Sequence, residues 1–235
     1  MEKYSVIFIF AAIVCILIVF FLLLFLPLKL KQLSPSPEEC KIILQNEGDN
    51  KVEIVFMTDN VPEDKVQNYV NSFLNSEPFA SNKEKFNFYY AGEAVCKLIE
   101  GDFLFCYSKE LLINSSICRN DYVVVLSDRP SGIRSTSYMN VMSLNTKQPS
   151  SVLLHEFGHA FANLADEYVP SVIPRGAKNC QKSCEKFEVM DGCFPGCSLA
   201  DYIRSSENSV MRTLATSDYK KLNTKLIEED LNKYE

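Results

Sequence analysis

Histidine is nearly missing from this chain: His155 and His159 are the only two among 235 residues. Chemistry that needs an imidazole must therefore run through one pair spaced four residues apart. An excess of positive charge is missing as well. There are 24 Lys and Arg against 30 Asp and Glu, for a net charge of −6. Phosphate backbones are bound through a basic footprint, so nucleic acid is excluded as the main partner. No internal repeat and no low-complexity tract occurs, which removes solenoids and arrays.

One long hydrophobic run is present, and it lacks any charge. Val6 to Leu28 is built almost entirely of Val, Ile, Leu, Phe and Ala. As a helix it reaches about 34 Å, enough to cross a bilayer core of ~30 Å. No small-residue cleavage site follows; Pro27, Leu28, Lys29 and Leu30 come directly after the apolar stretch. The expectation is an uncleaved membrane anchor over residues 1–31, with a cleaved signal as the alternative.

Of the nine cysteines, Cys15 lies inside that run. The other eight are Cys40, Cys96, Cys106, Cys118, Cys180, Cys184, Cys193 and Cys197. An even number behind an anchor points to disulfides in an oxidising compartment, hence a domain on the outer side of a single-pass membrane protein. The sequon Asn114-Ser115-Ser116 agrees. The flanking charges, Lys3 against Glu2 and then Lys29 and Lys31, lean the other way, but by only a charge or two, and long domains cross largely regardless of it. The Cys180-x3-Cys184-x8-Cys193-x3-Cys197 cluster has a rival reading as a four-thiolate zinc knuckle, although its x3 spacing is looser than the usual x2.

Residues 32–50 begin with a polar, twice-proline segment and read as a linker, leaving 51–235 as one domain of ordinary size. Val52–Met57 reads as a strand, and a helix is expected after Pro62 with Val66, Tyr69, Val70, Phe73 and Leu74 on one face. Phe86–Tyr90 and Tyr122–Ser127 read as further strands, and Ser137–Leu144 as one more. Residues 91–118 read as an irregular insert tied by bridges. Ser150 or Ser151 is placed to cap the next helix. On it Phe157, Phe161 and Leu164 form one stripe, and His155, His159 and Ala162 another. A last amphipathic helix follows Ser217.

That middle helix carries His155-Glu156-Phe157-Gly158-His159, an H-E-x-x-H pattern. Histidines at i and i+4 share a helix face and can grip one zinc ion, and Glu156 then serves as general base toward a water that the metal activates. A catalytic zinc needs a third protein ligand. Asp166 is the first candidate, but on an unbroken helix it would sit about 10 Å along the axis from His159. The chain must turn back, and Asn163 can provide the left-handed residue that ends a helix. Glu167 is the rival ligand, with Asp166 then orienting a histidine.

The stretch His155 to Tyr168, HEFGHAFANLADEY, resembles the signature of the IgA-peptidase family of zinc metallopeptidases, roughly H-E-F-G-H-S-F-A-G-L-A-D-E-Y. The likeness extends upstream to Val52–Met57 with Thr58-Asp59 and to Phe86-Asn87-Phe88, and downstream to Tyr202–Arg212, so it covers roughly residues 51–215. It departs at Asn163, where the family has glycine, and at Ala160, where it has serine. The resemblance implies a zincin-like α/β domain with a twisted mixed sheet. It implies zinc held by His155, His159 and Asp166, with Met211 in a turn beneath the metal. Strand Ser137–Leu144 would be the edge strand that pairs with an extended peptide. The expected function is membrane-anchored peptide-bond hydrolysis on a protein or peptide substrate. The alternative is an inactive zincin-like binding domain. Tyr168, Tyr202 and Arg204 are candidates for holding substrate, with purely structural roles as the other reading.

Overall fold

A computed structural model of the chain describes residues 39–234. The expected membrane span, Cys15 and residues 32–38 of the expected linker lie outside them. Among the described residues no helix is long and apolar enough to cross a membrane.

The elements in chain order are β1 (Lys41–Leu44), β2 (Val52–Asp59), α1 (Asp64–Leu74), β3 (Phe86–Glu93), β4 (Lys97–Ile99), β5 (Phe103–Phe105), α2 (Lys109–Ser115), β6 (Tyr122–Ser127), β7 (Thr136–Tyr138), β8 (Val141–Asn145), α3 (Ser151–Ala162), β9 (Cys180–Gln181), β10 (Phe194–Cys197), β11 (Leu199–Arg204) and α4 (Lys220–Leu231). Six strands form one mixed sheet in the order β1-β3-β2-β6-β8-β7. The four central strands run parallel, and β1 and β7 are antiparallel edges.

The central strands are continuous apolar runs because both sheet faces are covered. Ile54, Phe56, Phe86, Phe88, Val124 and Leu126 face α1, α3 and α4 in the larger core. Their neighbours Val55, Met57, Tyr89, Val123 and Val125 face the other way, onto Leu104, Cys106 and Leu111. The segment expected to be an irregular insert thus covers the second face of the sheet. It holds the β4–β5 hairpin and α2, and it is tied by Cys96–Cys106 and Cys40–Cys118.

Several expectations need correction. The sheet begins inside the expected linker, since β1 pairs with β3. Ser137–Leu144 is not one strand. Tyr138 pairs with Val141, so Met139 and Asn140 form a two-residue reversal, with Met139 at φ 54°. No glycine marks that turn, and the edge strand is β7 alone. Ser150 stands at the start of α3, but its hydroxyl meets that of Ser72 at 3.0 Å and caps nothing. Residues 169–200 contain most of a second small sheet in the order β10-β11-β9. Its four cysteines pair as Cys180–Cys197 and Cys184–Cys193, which leaves no thiolates for a zinc knuckle.

Candidate metal centre

Helix α3 is almost wholly buried from Ser151 to Gly158. Phe157 locks it to the sheet and to α1: its ring is edge-on to Phe73 at 5.0 Å and to Phe79 at 5.3 Å, and stacks on Phe161 at 4.9 Å. Burying such a side chain contributes roughly 1.5–3 kcal/mol. Tyr219, at the start of α4, donates its hydroxyl to the Leu154 carbonyl. The helix bearing both histidines is thereby held from two sides.

The helix ends where the sequence requires it to. Asn163 adopts φ 50°, ψ 37°, and the Leu164 N–H bonds back to the Gly158 carbonyl at 3.1 Å. This is the left-handed exit that lets the chain double back. Asn179 then clamps the returning strand, accepting from the Ala165 N–H at 2.8 Å and donating to the Ala165 carbonyl at 2.9 Å. Asp166 is brought to the helix face it has just left.

Three donor atoms converge there. His155 Nε2 and His159 Nε2 lie 3.1 Å apart, and Asp166 Oδ1 is 3.1 Å from the first and 3.2 Å from the second. The other ring nitrogens fix the tautomers. His155 Nδ1 is 2.9 Å from the Val210 carbonyl and His159 Nδ1 is 2.6 Å from the Leu164 carbonyl. A carbonyl only accepts, so in the neutral rings both protons sit on Nδ1 and both Nε2 atoms present lone pairs. Asp166 Oδ1 is buried and has no hydrogen-bond partner. Two lone pairs and a carboxylate oxygen facing one another across about 3 Å are a costly arrangement without a cation between them. The group could hold a metal ion.

The charges shift accordingly. For His159, burial works against the charged ring, but the Asp166 and Glu156 carboxylates outweigh it and raise the imidazole to about 9. For Asp166, burial works against the carboxylate, but the two imidazoles hold it far below the usual range. Its other oxygen accepts from the Ser171 hydroxyl at 2.6 Å. Glu156 is 5 % exposed, and burial raises its pKa even though both imidazoles pull it down. No hydrogen bond from the described residues reaches its carboxylate.

The other expected residues fall into two groups. Glu167, the rival ligand, points away from the histidines and is fully buried. It accepts from Ser209 Oγ at 2.6 Å and Asn223 Nδ2 at 2.9 Å. Burial raises its pKa against those hydrogen bonds. Met211 is fully buried against α3, its sulfur beside Gly158. Its turn is tied to the site twice, since Val210 holds the His155 ring and the Met211 carbonyl accepts from the Glu167 N–H at 2.8 Å. Tyr168 stands by the triad, its ring stacked 6.4 Å from His155. Burial, followed by the Asp166 charge, pushes its phenol up to about 12. Arg204 and Tyr202 do not reach the site. Arg204 holds the small sheet through the Pro195 and Gly196 carbonyls, and Tyr202 packs against that sheet's core.

An open cleft of about 750 Å³ runs past the triad. Its lining includes Phe103, Thr136 and Ser137 together with Pro170, Val172 and Pro174. Ala160 and Asn163 line it, whereas Ala162, expected on this face, packs instead against the core. Arg134 also lines it. Its guanidinium lies 4.8 Å over the Phe103 ring and donates to the Tyr168 hydroxyl at 3.2 Å. Nothing in the sequence around Arg134 marks it, because it is brought to the cleft by a backbone bridge to Phe103, donating its N–H to the Asp102 carbonyl at 2.7 Å and accepting from the Leu104 N–H at 2.8 Å. The chain matches no protein-family model, and no curated protein matches it.

Proposed function

We propose that this chain is a membrane-anchored zinc metallopeptidase whose zincin-like domain faces an oxidising compartment. One observation carries the reading: His155 Nε2, His159 Nε2 and Asp166 Oδ1 meet within 3.1–3.2 Å of one another, beside the buried carboxylate of Glu156. Ligands ~2.0–2.1 Å from a tetrahedral zinc stand about 3.3 Å from each other, so the triangle fits that ion with little adjustment. Two imidazoles and one carboxylate also leave a fourth position open, as catalytic rather than structural zinc sites do.

When bound, zinc supplies Lewis acidity that activates water near neutral pH and stabilises the developing oxyanion. The rest falls to the chain. His155 and His159 are oriented by the Val210 and Leu164 carbonyls, and Asp166 by Ser171. Glu156 takes a proton from the attacking water and delivers it to the leaving amine, and its burial-raised pKa suits both steps. Strand β7, the sheet edge along the cleft, offers its backbone to an extended peptide. The four disulfides support an extracytoplasmic setting.

The test is metal analysis of the purified full chain together with cleavage of a peptide library. One zinc per chain is expected, with cleavage abolished by a chelator and restored by zinc. A chain that binds no zinc overturns the reading. One that binds zinc but cleaves nothing is the inactive binding domain.

A further inference from the structure

A second cavity of about 190 Å³ opens off the main cleft. The two share Arg134, Ser135, His155, Glu156 and Tyr168, so the cavity begins at the general base itself. Its far wall is Arg212, Thr213 and Leu214, the residues that leave the Met211 turn, and its floor includes Val152 of α3. Whole-ligand pockets run to roughly 300–1,000 Å³. This one is the size of a single side chain or chain end.

Two guanidinium groups line it against the single carboxylate of Glu156. Arg134 and Arg212 both line it, and neither forms an ion pair with any carboxylate of the described residues. Arg134 is engaged only by the Tyr168 hydroxyl and the Phe103 ring, and Arg212 only by the Glu167 carbonyl at 3.3 Å. By contrast Arg129, elsewhere on the sheet, is paired to Asp59 at 2.5 Å. The nearest carboxylate, Glu156, is reserved for proton transfer. Guanidinium groups are the side chains best matched to a carboxylate, through paired N–H donors.

We infer that this cavity is a carboxylate-recognition subsite, in which Arg134 and Arg212 hold an acidic side chain or a free C-terminal carboxyl group next to the scissile bond. The inference rests on the peptidase reading and narrows its substrate class. The indole- or leucine-sized residues that an apolar pocket would select are disfavoured here, since they would strip water from two guanidinium groups without replacing it.

The test is equilibrium binding of fluorescent peptides to the zinc-loaded full chain carrying Glu156→Gln, which prevents turnover. Three peptides differ only at the residue entering the cavity: internal Gln with an amidated end, internal Glu with an amidated end, and one that terminates there in a free carboxyl. Hydrogen bonds to charged groups make the expected gain over the Gln peptide about ten- to a hundredfold in Kd. A gain for the Glu peptide alone assigns the site to side chains, and one for the free end alone assigns it to chain termini. Arg212→Gln should remove the gain, and Arg212→Glu should shift preference to a Lys peptide. Because Arg212 also holds the Glu167 carbonyl, Arg134→Gln, on an exposed loop, repeats the test without touching that contact. Equal binding of all three peptides, or a gain that survives both Arg→Gln changes, overturns the subsite while leaving the peptidase reading standing. Failure of every peptide to bind removes both.

Discussion

The sulfur of Met211 lies 2.7 Å from where a Cβ on Gly158 would stand, with Tyr219 and Leu164 at 3.2 and 3.3 Å from the same point. The glycine between the two histidines is therefore a packing requirement of the Met211 turn. That turn in turn carries the carbonyl orienting His155. Gly158→Ala places the helix-propensity gain of about 1 kcal/mol against an overpacking cost of about 1–3 kcal/mol. A net loss of up to about 2 kcal/mol in urea denaturation is expected. In a Met211→Ala background the same substitution should become neutral or stabilising. Additive effects in the double mutant would refute the contact.

Glu156→Gln should retain stoichiometric zinc and lose peptide cleavage by roughly 10²–10⁴-fold, because the metal triad is untouched while proton transfer is removed. Metal content by atomic spectroscopy beside a cleavage assay decides it. Zinc lost together with activity would make Glu156 a ligand and not a base.

The metal-free protein should lose stability on the alkaline side. An unfolded imidazole titrates near ~6.5, and in the fold His159 is raised to about 9. A raised pKa means stability that is full below about 6.5 and is lost as pH rises through about 9. Asp166, being lowered, contributes in the opposite sense: its share is present above ~3.9 and fades as pH falls. Urea midpoints of the chelator-treated protein should therefore decline from pH 6.5 to pH 9, while His159→Gln shows no such decline and zinc-loaded protein resists it. A flat profile for the metal-free wild type would contradict the contact.

Much of the site was legible before the structure, and for a definite reason. His155, Glu156, His159 and the exit at Asn163 are set by helical spacing and by one left-handed residue, both local properties of the chain. Asp166 followed from the need for a third ligand within reach. The central strands were legible at Val52–Met57 and Tyr122–Ser127 because burial on both faces leaves an apolar run. What escaped depends on distant contacts. Strand Lys41–Leu44 is only four residues long and gains its identity from pairing with β3. The Met139–Asn140 reversal has no glycine to announce it. Glu167 stayed open as a rival to Asp166 because its partners, Ser209 and Asn223, are 42 and 56 residues away. Arg134 reaches the cleft through its backbone bridge to Phe103, a pairing between distant parts of the chain.

The disulfide framework predicts a thiol count. Four bridges consume eight of the nine cysteines, leaving Cys15. Full chain purified without reductant and denatured should titrate with one thiol per molecule, and with nine after reduction. Peptide mapping should recover Cys180 joined to Cys197 and Cys184 to Cys193. Four additional thiols appearing only after zinc removal would restore the knuckle and place the domain in a reducing compartment.

Asp166 and Glu167 are neighbours in sequence with opposite duties, and two alanine variants separate them. Asp166→Ala removes the one oxygen that closes the triangle with the histidines. It should weaken zinc binding at least tenfold, on the scale of a lost ligand, and cost the metal-free protein only the stability that the His159–Asp166 contact contributes between the acidic and alkaline limbs, without unfolding it. Glu167→Ala leaves the triangle intact but strips the acceptor from Ser209, Asn223 and Asn179, all buried. Leaving a buried donor unpaired costs about 1–3 kcal/mol, so two or three of them threaten the fold itself. Glu167→Gln, which keeps one acceptor oxygen, should recover part of that stability. Zinc titrations and thermal melts of the metal-free proteins separate the two outcomes. If Glu167→Ala lowers zinc affinity at unchanged stability, the carboxylate at 167 reaches the metal in solution. If Asp166→Ala unfolds the chain, the triangle is a structural network and the peptidase proposal loses the geometry on which it stands.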